Sequence, residues 1–478
     1  MNLQHASTRS LPQAWLAIGL AGALWAVPLL YNAIPTRLGP HDVARIAQLV
    51  LLVAGAAIWA LSPTGFSTSP TQRTTGSRAT PSWTSAALAT LGLLILASCL
   101  TAVHPLIAVR EVLLLGSVLL LARPLALALS DHAIRDRFLD VITVGAAIHG
   151  SIWAAMLVAA CFSSEPFTPW ELVFGFDNPR FLNHAQTIAL PLIGVVLMRQ
   201  GGSRWLRAAA AIALITAGAL LSLYVARATT LGLLVGAIVA ACVLGRPAWR
   251  YVAGTGAALG AGALAMGLAW TLWLRHLTVP MIDNVLHTHR RNVLVDQAVD
   301  LFLSSPWLGV GPMHFAQTVN PVAAHPHNVY LQLLSECGAP ACALIVVLGV
   351  VFLRGRFADL RRVASSNTAL AGALLAATAA MLVDSAFSGN WVMPISQLWI
   401  AVLIALLLGL RPGDAQRAPR TRTGLAARLV VLTAIVVATG QAFVEAADDV
   451  PHVHTGEAMK MSIGRAALTP RFWSHGWF

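Results

Sequence analysis

The stretch 325–353 reads His-Pro-His-Asn-Val-Tyr-Leu-Gln-Leu-Leu-Ser-Glu-Cys-Gly-Ala-Pro-Ala-Cys-Ala-Leu-Ile-Val-Val-Leu-Gly-Val-Val-Phe-Leu. Its first half carries two imidazoles, two amides and a carboxylate; its second half has nothing charged. The run from 328 to 353 is long enough for a helix to cross a hydrocarbon layer, which takes about 20 apolar residues. Runs of the same kind recur at 13–31, 44–62, 83–102, 106–127, 139–162, 182–198, 206–223, 228–245, 251–273, 367–387, 393–410 and 428–445. Backbone in lipid must satisfy its own hydrogen bonds, so many long runs mean a helical bundle. The expectation is an all-α polytopic membrane protein of 12–13 transmembrane helices, the run at 428–445 being the one that also reads as a surface segment. Composition agrees: 57% of residues are hydrophobic and 10% charged, with mean hydropathy +0.72. A soluble domain carries about 25% charged residues.

The expected division is 1–273, nine membrane helices on short loops; 274–327, a large loop; 328–445, the remaining helices; and 446–478, a polar tail with a Trp/Phe-rich end. The first run follows Arg9 and is long enough to span, so it reads as a retained helix. The five cysteines lie mostly in apolar runs and form no CxxC pair, the pattern of small buried hydrophobes.

A net charge of +12 raises the question of nucleic acid. That partner is rejected because the charge is divided among short loops between apolar runs, as membrane topology requires. With a cytoplasmic start, the inner connections hold 18 arginines and the outer ones six: Arg37, Arg180, Arg227, Arg275, Arg290 and Arg291. Inner-loop excess sets orientation, so the six exceptions need another reason to exist.

Arg180 opens the sixth run, where Asn183 is a candidate cap, and Arg227 sits in a tight hairpin between the seventh and eighth. A charge near membrane depth is costly without a partner. Arg290 and Arg291 precede Leu294, Ala298, Leu301 and Phe302, with Asp296 and Asp300 opposite. That periodicity reads as an amphipathic helix on or near the membrane. It stops at Ser304-Ser305-Pro306-Trp307-Leu308-Gly309-Val310-Gly311-Pro312, a turn signal. His276, His287 and His289 are too loosely spaced to argue for a metal. Arg110, near the outer end of the fourth run, reads as snorkelling or as a contact to lipid phosphate.

The outer face therefore gathers Arg180, Arg227, Arg275, Arg290, Arg291, His325, His327 and Glu336. Guanidinium matches phosphate geometry and stays charged, and a histidine among such groups is held neutral, as a general base must be. There is no P-loop, no Asp-x-Asp pair and no serine nucleophile elbow. These residue types point to group transfer from a phosphorylated lipid, with arginine rather than a metal neutralising the phosphates and no cofactor.

At these residues the chain resembles the bacterial O-antigen ligases, within the O-antigen ligase and polymerase superfamily. His327-Asn328 followed by Gly338, Arg290-Arg291-Asn292-Val293-Leu294, the Pro306–Gly311 turn and the Arg227 hairpin are similar to that superfamily's motifs, in the same order. The resemblance covers about 180–340. Ala226 stands where the superfamily often has Ser. The resemblance implies a GT-C-type glycosyltransferase in the inner membrane, with its active site facing the periplasm and a helical periplasmic loop region. It implies an inverting, metal-independent transfer of a glycan from undecaprenyl diphosphate to a sugar of lipid A–core. His327 would activate the acceptor hydroxyl, and Arg180, Arg227 and Arg291 would hold the diphosphate, with Arg275 and Arg290 behind them. His325, Glu336 and Asn328 would support. The alternatives are an O-antigen polymerase, a protein O-oligosaccharyltransferase and, from another class, a transporter. A transporter would place its polar groups near the bilayer midplane, often in paired halves.

Overall fold

The computed structural model describes residues 11–33, 38–62, 82–162, 169–274, 291–410, 424–447, 470–474 and 476–478. The protein is an all-α polytopic membrane protein, and no sheet occurs among the described residues. Its helices are α1 (Leu11–Leu30), α2 (Pro40–Leu61), α3 (Ser82–Thr101), α4 (Pro105–Leu129), α5 (His132–Cys161), α6 (Pro179–Leu197) and α7 (Arg204–Leu223). They continue with α8 (Arg227–Leu244), α9 (Arg246–Leu272), α10 (Arg291–Ser304), α11 (Val329–Val363), α12 (Thr368–Asp384), α13 (Pro394–Leu408) and α14 (Leu425–Ala447). Each of the thirteen apolar runs lies on one of these helices, with ends that agree to about five residues except that α5 starts seven residues before its run and α11 continues ten residues beyond its run. Eleven are long and apolar enough to cross a membrane; α12 and α13 are apolar but shorter.

The helices sort by depth. α6, α12 and α13 bury nearly every face, and α4 packs on α13. α3, α8, α9, α11 and α14 form the outside, where exposed Leu, Val and Ile face outward. In lipid such residues carry no penalty, so packing between helices depends on close fit and small side chains. α8 lies on α12 through Gly232 and Gly236, where any Cβ would meet the carbonyls of Ala380 and Ala376. That contact fixes α8, and with it the arginine at its first turn.

α14 runs the length of α2 and α4. At one end Arg428 donates to the carbonyls of Trp59 (3.3 Å) and Ser62 (2.9 Å). At the other Glu445 pairs with Arg110. The final helix is thus integrated in the bundle. Arg110 is correspondingly not a snorkelling residue: it is buried, paired with Glu445 and stacked over the Phe472 ring at 4.3 Å.

α10 is the expected amphipathic helix, but its apolar stripe turns inward. Leu294 and Ala298 are fully buried against Phe315 and Ala323 of the following loop, with Leu331 of α11 nearby. Val295, Val299 and Leu303 are exposed on its other side.

The loop 305–328 is clamped to α11 at a kink. Gly338 has φ 76° and ψ 168° within that helix, a region open in practice to glycine alone. The helix bonds lost there are replaced by the turn signal. Val310 N–H donates to Ser335 O (2.9 Å), Gly311 N–H to Glu336 O (3.0 Å) and Ala339 N–H to Pro306 O (2.9 Å). Gly309 and Gly338 lie against the opposing backbone, where neither tolerates a Cβ.

Candidate functional site

Three arginines arrive at one end of the bundle on three helix N-termini. Asn178 caps α6, its side chain accepting from Arg180 N–H at 2.9 Å, as a short polar side chain before a first turn does. The cap expected at Asn183 is therefore one turn too far in. Arg227 opens α8 after a turn whose Val225 has φ 47°, a left-handed conformation uncommon for a β-branched residue. Arg291 opens α10. Each arginine adds its charge to the positive end of a helix dipole.

These residues line one cavity of about 250 Å³, together with Asn183, His184, Thr229, His327, Asp384 and Ser388. Arg180 is held by a bond from Nη1 to Val225 O (3.1 Å), which ties α6 to the α7–α8 turn. His327 reaches the cavity from the loop before α11, with φ 52°. Its backbone N–H donates to His325 Nδ1 (3.3 Å), and the two rings stand 4.2 Å apart, edge to face. His325 is fully buried, while His327 is partly exposed. Asn328 caps α11, accepting from Tyr330 N–H (3.0 Å) and Leu331 N–H (3.1 Å).

The electrostatics are those of an anion site. Burial, then Arg291, His184 and Arg180, push His327 down to about 3, so the imidazole is neutral and its nitrogen lone pair is available. Arg291 is lowered by burial and by Arg227, with Asp384 opposing. Three guanidiniums and one carboxylate in so small a space leave an excess of positive charge and parallel donors, which phosphate oxygens match.

The structure brings Arg180, Arg227, Arg291 and His327 together, with His325 behind His327 and Asn328 beneath it. Arg275 and Arg290 lie outside the described residues. Glu336 is elsewhere: its Oε2 accepts from Arg471 (2.8 Å) and its Oε1 from Phe315 N–H (3.2 Å). It is a buried partner of Arg471 and has no bond to His327.

Sequence reasoning gave His184, Asp384 and Ser388 no role, and Asn183 only that of a cap. His184 Nδ1 stands 3.5 Å from Asp384 Oδ2, and that oxygen accepts from Thr187 Oγ1 at 3.3 Å. Asp384 Oδ1, both amide atoms of Asn183 and the Ser388 hydroxyl have no hydrogen-bond partner among the described residues. A carboxylate at the end of an apolar run was the available signal, since such groups mark functional sites in membrane helices.

A family model described as O-antigen ligase matches residues 210–346, under a third of the chain. The matched segment contains Arg227, Arg291 and His327 and stops short of Arg180. No curated protein matches the chain. Over 210–346 the chain is thus similar to the O-antigen ligase family, and that similarity coincides with the helices and loop that carry most of the cavity.

Proposed function

We propose that the protein is an O-antigen ligase. It takes a glycan from undecaprenyl diphosphate and attaches it to a sugar of lipid A–core, on the periplasmic face of the inner membrane. One observation carries the reading: Arg180, Arg227 and Arg291, from three separate helix N-termini, share a cavity with a partly exposed His327. The match of 210–346 to the O-antigen ligase model supports it.

In this reading the diphosphate lies among the three guanidiniums, and the sugar it carries faces His327. His327 removes the proton from the acceptor hydroxyl as that oxygen attacks the anomeric carbon from the face opposite the phosphate. The new carbon–oxygen bond forms and the bond to the phosphate oxygen breaks. Undecaprenyl diphosphate leaves with the bonding electron pair, and configuration inverts. The arginines act where the charge grows, on the departing phosphate oxygen. His325 positions His327 through its backbone. Three fixed positive charges take the place a divalent metal would have, so transfer continues in EDTA; loss of activity that Mg²⁺ restores would contradict this.

The decisive experiment is deletion of the gene followed by gel analysis of lipopolysaccharide. A ligase deletion leaves core without polymer while lipid-linked polymer accumulates. Core carrying a single repeat would instead identify a polymerase, and unchanged lipopolysaccharide would remove both.

A further inference from the structure

Residues 470–474 and 476–478 belong by composition to a polar tail, yet Arg471, Phe472 and Trp477 are among the largest fully buried side chains of the molecule, and Trp473 is buried beside them. Arg471 donates through Nη2 to Glu336 of α11 (2.8 Å) and Glu111 of α4 (3.3 Å). Arg45 of α2 donates from Nε to Phe472 O (2.9 Å) and from Nη2 to Arg471 O (3.2 Å). The same guanidinium donates to Val392 O (2.6 Å) and Gln397 Oε1 (2.7 Å), which joins the segment to the start of α13. Asp42 accepts from both the backbone N–H (2.8 Å) and the hydroxyl (2.8 Å) of Ser474. The far end of the segment packs under the loop that leads to His327. Trp477 is buried with Ala316 and Ala324, and Phe478 meets the His314 ring at 5.4 Å.

We propose that Arg471 and Trp477 are positioning residues for His327. Two routes connect them to it. Arg471 fixes the Glu336 carboxylate, whose other oxygen accepts from Phe315 N–H in the same loop. Trp477 supports Ala324, the neighbour of His325, and His325 Nδ1 accepts from His327 N–H (3.3 Å). Without Arg471, two buried carboxylates on α4 and α11 lose their shared cation, and each is left in need of a proton or water. Without Trp477, the loop loses its floor. The His327 backbone is left-handed, a conformation that persists only where its surroundings enforce it.

The inference rests on the proposed function for its kinetic consequence, but not for its structural one, and the test separates the two. Full-length Arg471→Gln, Arg471→Lys and Trp477→Leu proteins are purified in detergent and compared with wild type by hydrogen–deuterium exchange and by glycan transfer. Exchange should rise over 312–328 in Arg471→Gln and Trp477→Leu and stay unchanged in α12 and α13. kcat should fall about tenfold or more, the scale of a small misplacement of a reacting group, with KM for the lipid-linked donor within about twofold. Arg471→Lys should recover part of both. Unchanged exchange over 312–328 overturns the proposal, as does a rise spread evenly over α12 and α13. If wild type transfers no glycan, the functional reading fails while the exchange data still decide the positioning.

Discussion

At the scale of single residues, His327 is set by its surroundings more than by its type. Burial and the cations around it hold the imidazole down to about 3. A bound diphosphate brings negative charge against those cations and raises that value toward the ordinary one near 6.5. kcat/KM reports the free enzyme and kcat the loaded one. The acid limb of kcat is therefore expected at higher pH than the acid limb of kcat/KM, and parallel pH–rate profiles measured at saturating and limiting donor test it. Coincident limbs would mean that the anion does not sit beside His327. His327→Ala should keep the detergent elution profile of wild type and lose transfer altogether, because His325 behind it is fully buried and His184 lies against Asp384. Arg227→Gln removes one of three charges from the proposed diphosphate site and should lower kcat/KM by about 10²-fold, as loss of one oxyanion donor does. Steady-state kinetics in detergent would measure it. The arginines were legible in the sequence because they stand in connections that the expected charge bias leaves poor in arginine, and His327 because it opens an otherwise apolar run. Asp384 and Asn183 were less legible, since a lone carboxylate or amide at the end of an apolar run has several uses and only the cavity shows which applies.

At the scale of elements, the site is a meeting of helix ends, and the kink in α11 decides where one of them lies. Across the clamp Gly338 faces the backbone of Trp307 and Leu308, and Gly309 faces that of Glu336 and Cys337. A Gly338→Ala substitution adds a side chain in a conformation nearly closed to it, at a cost of about 1–3 kcal/mol, and pushes against the Trp307 carbonyl. The clamp should loosen as a unit, with a lower thermal midpoint and lower transfer activity, while Gly349→Ala further along α11, where a Cβ meets nothing, should behave as wild type. A scan of tryptophan fluorescence against temperature on both variants distinguishes them. The Pro306–Gly311 turn was readable as a turn because proline and glycine punctuate any sequence. Its docking on α11 was not, because a backbone hydrogen bond between distant segments leaves no pattern in side chains. The same holds for α10. Its period was visible, but whether the stripe meets lipid or protein depends on Phe315 and Ala323, which only the fold brings beneath it.

At the scale of the whole molecule, the charge bias along the chain and the packing of the helices make one claim about sidedness. The thirteen apolar runs were legible because lipid imposes length and hydropathy on every helix that crosses it. The 470–478 segment was not, because its burial depends on partners in α2, α4 and α11 that are remote in sequence. Three of the six arginines that oppose the inner-loop excess line the cavity, so half of the exceptions share one place in the fold; Arg37, Arg275 and Arg290 lie outside the described residues. If the bias sets orientation, the cavity end of the bundle is periplasmic. The end where Arg428 meets Trp59 and Ser62 is then cytoplasmic. In a background with the five cysteines replaced, Thr318→Cys and Ser474→Cys should react with an impermeant maleimide in intact cells whose outer membrane has been opened. Gly202→Cys and Gly424→Cys should react only after the inner membrane is broken. Labelling of Gly424→Cys in intact cells would place both ends of α14 on one side and remove it from the crossing helices. Labelling of Gly202→Cys but not Thr318→Cys would invert the bundle. An inverted bundle would put the arginine cavity on the cytoplasmic face, away from a donor whose glycan is exposed to the periplasm, and the ligase reading would fall with it.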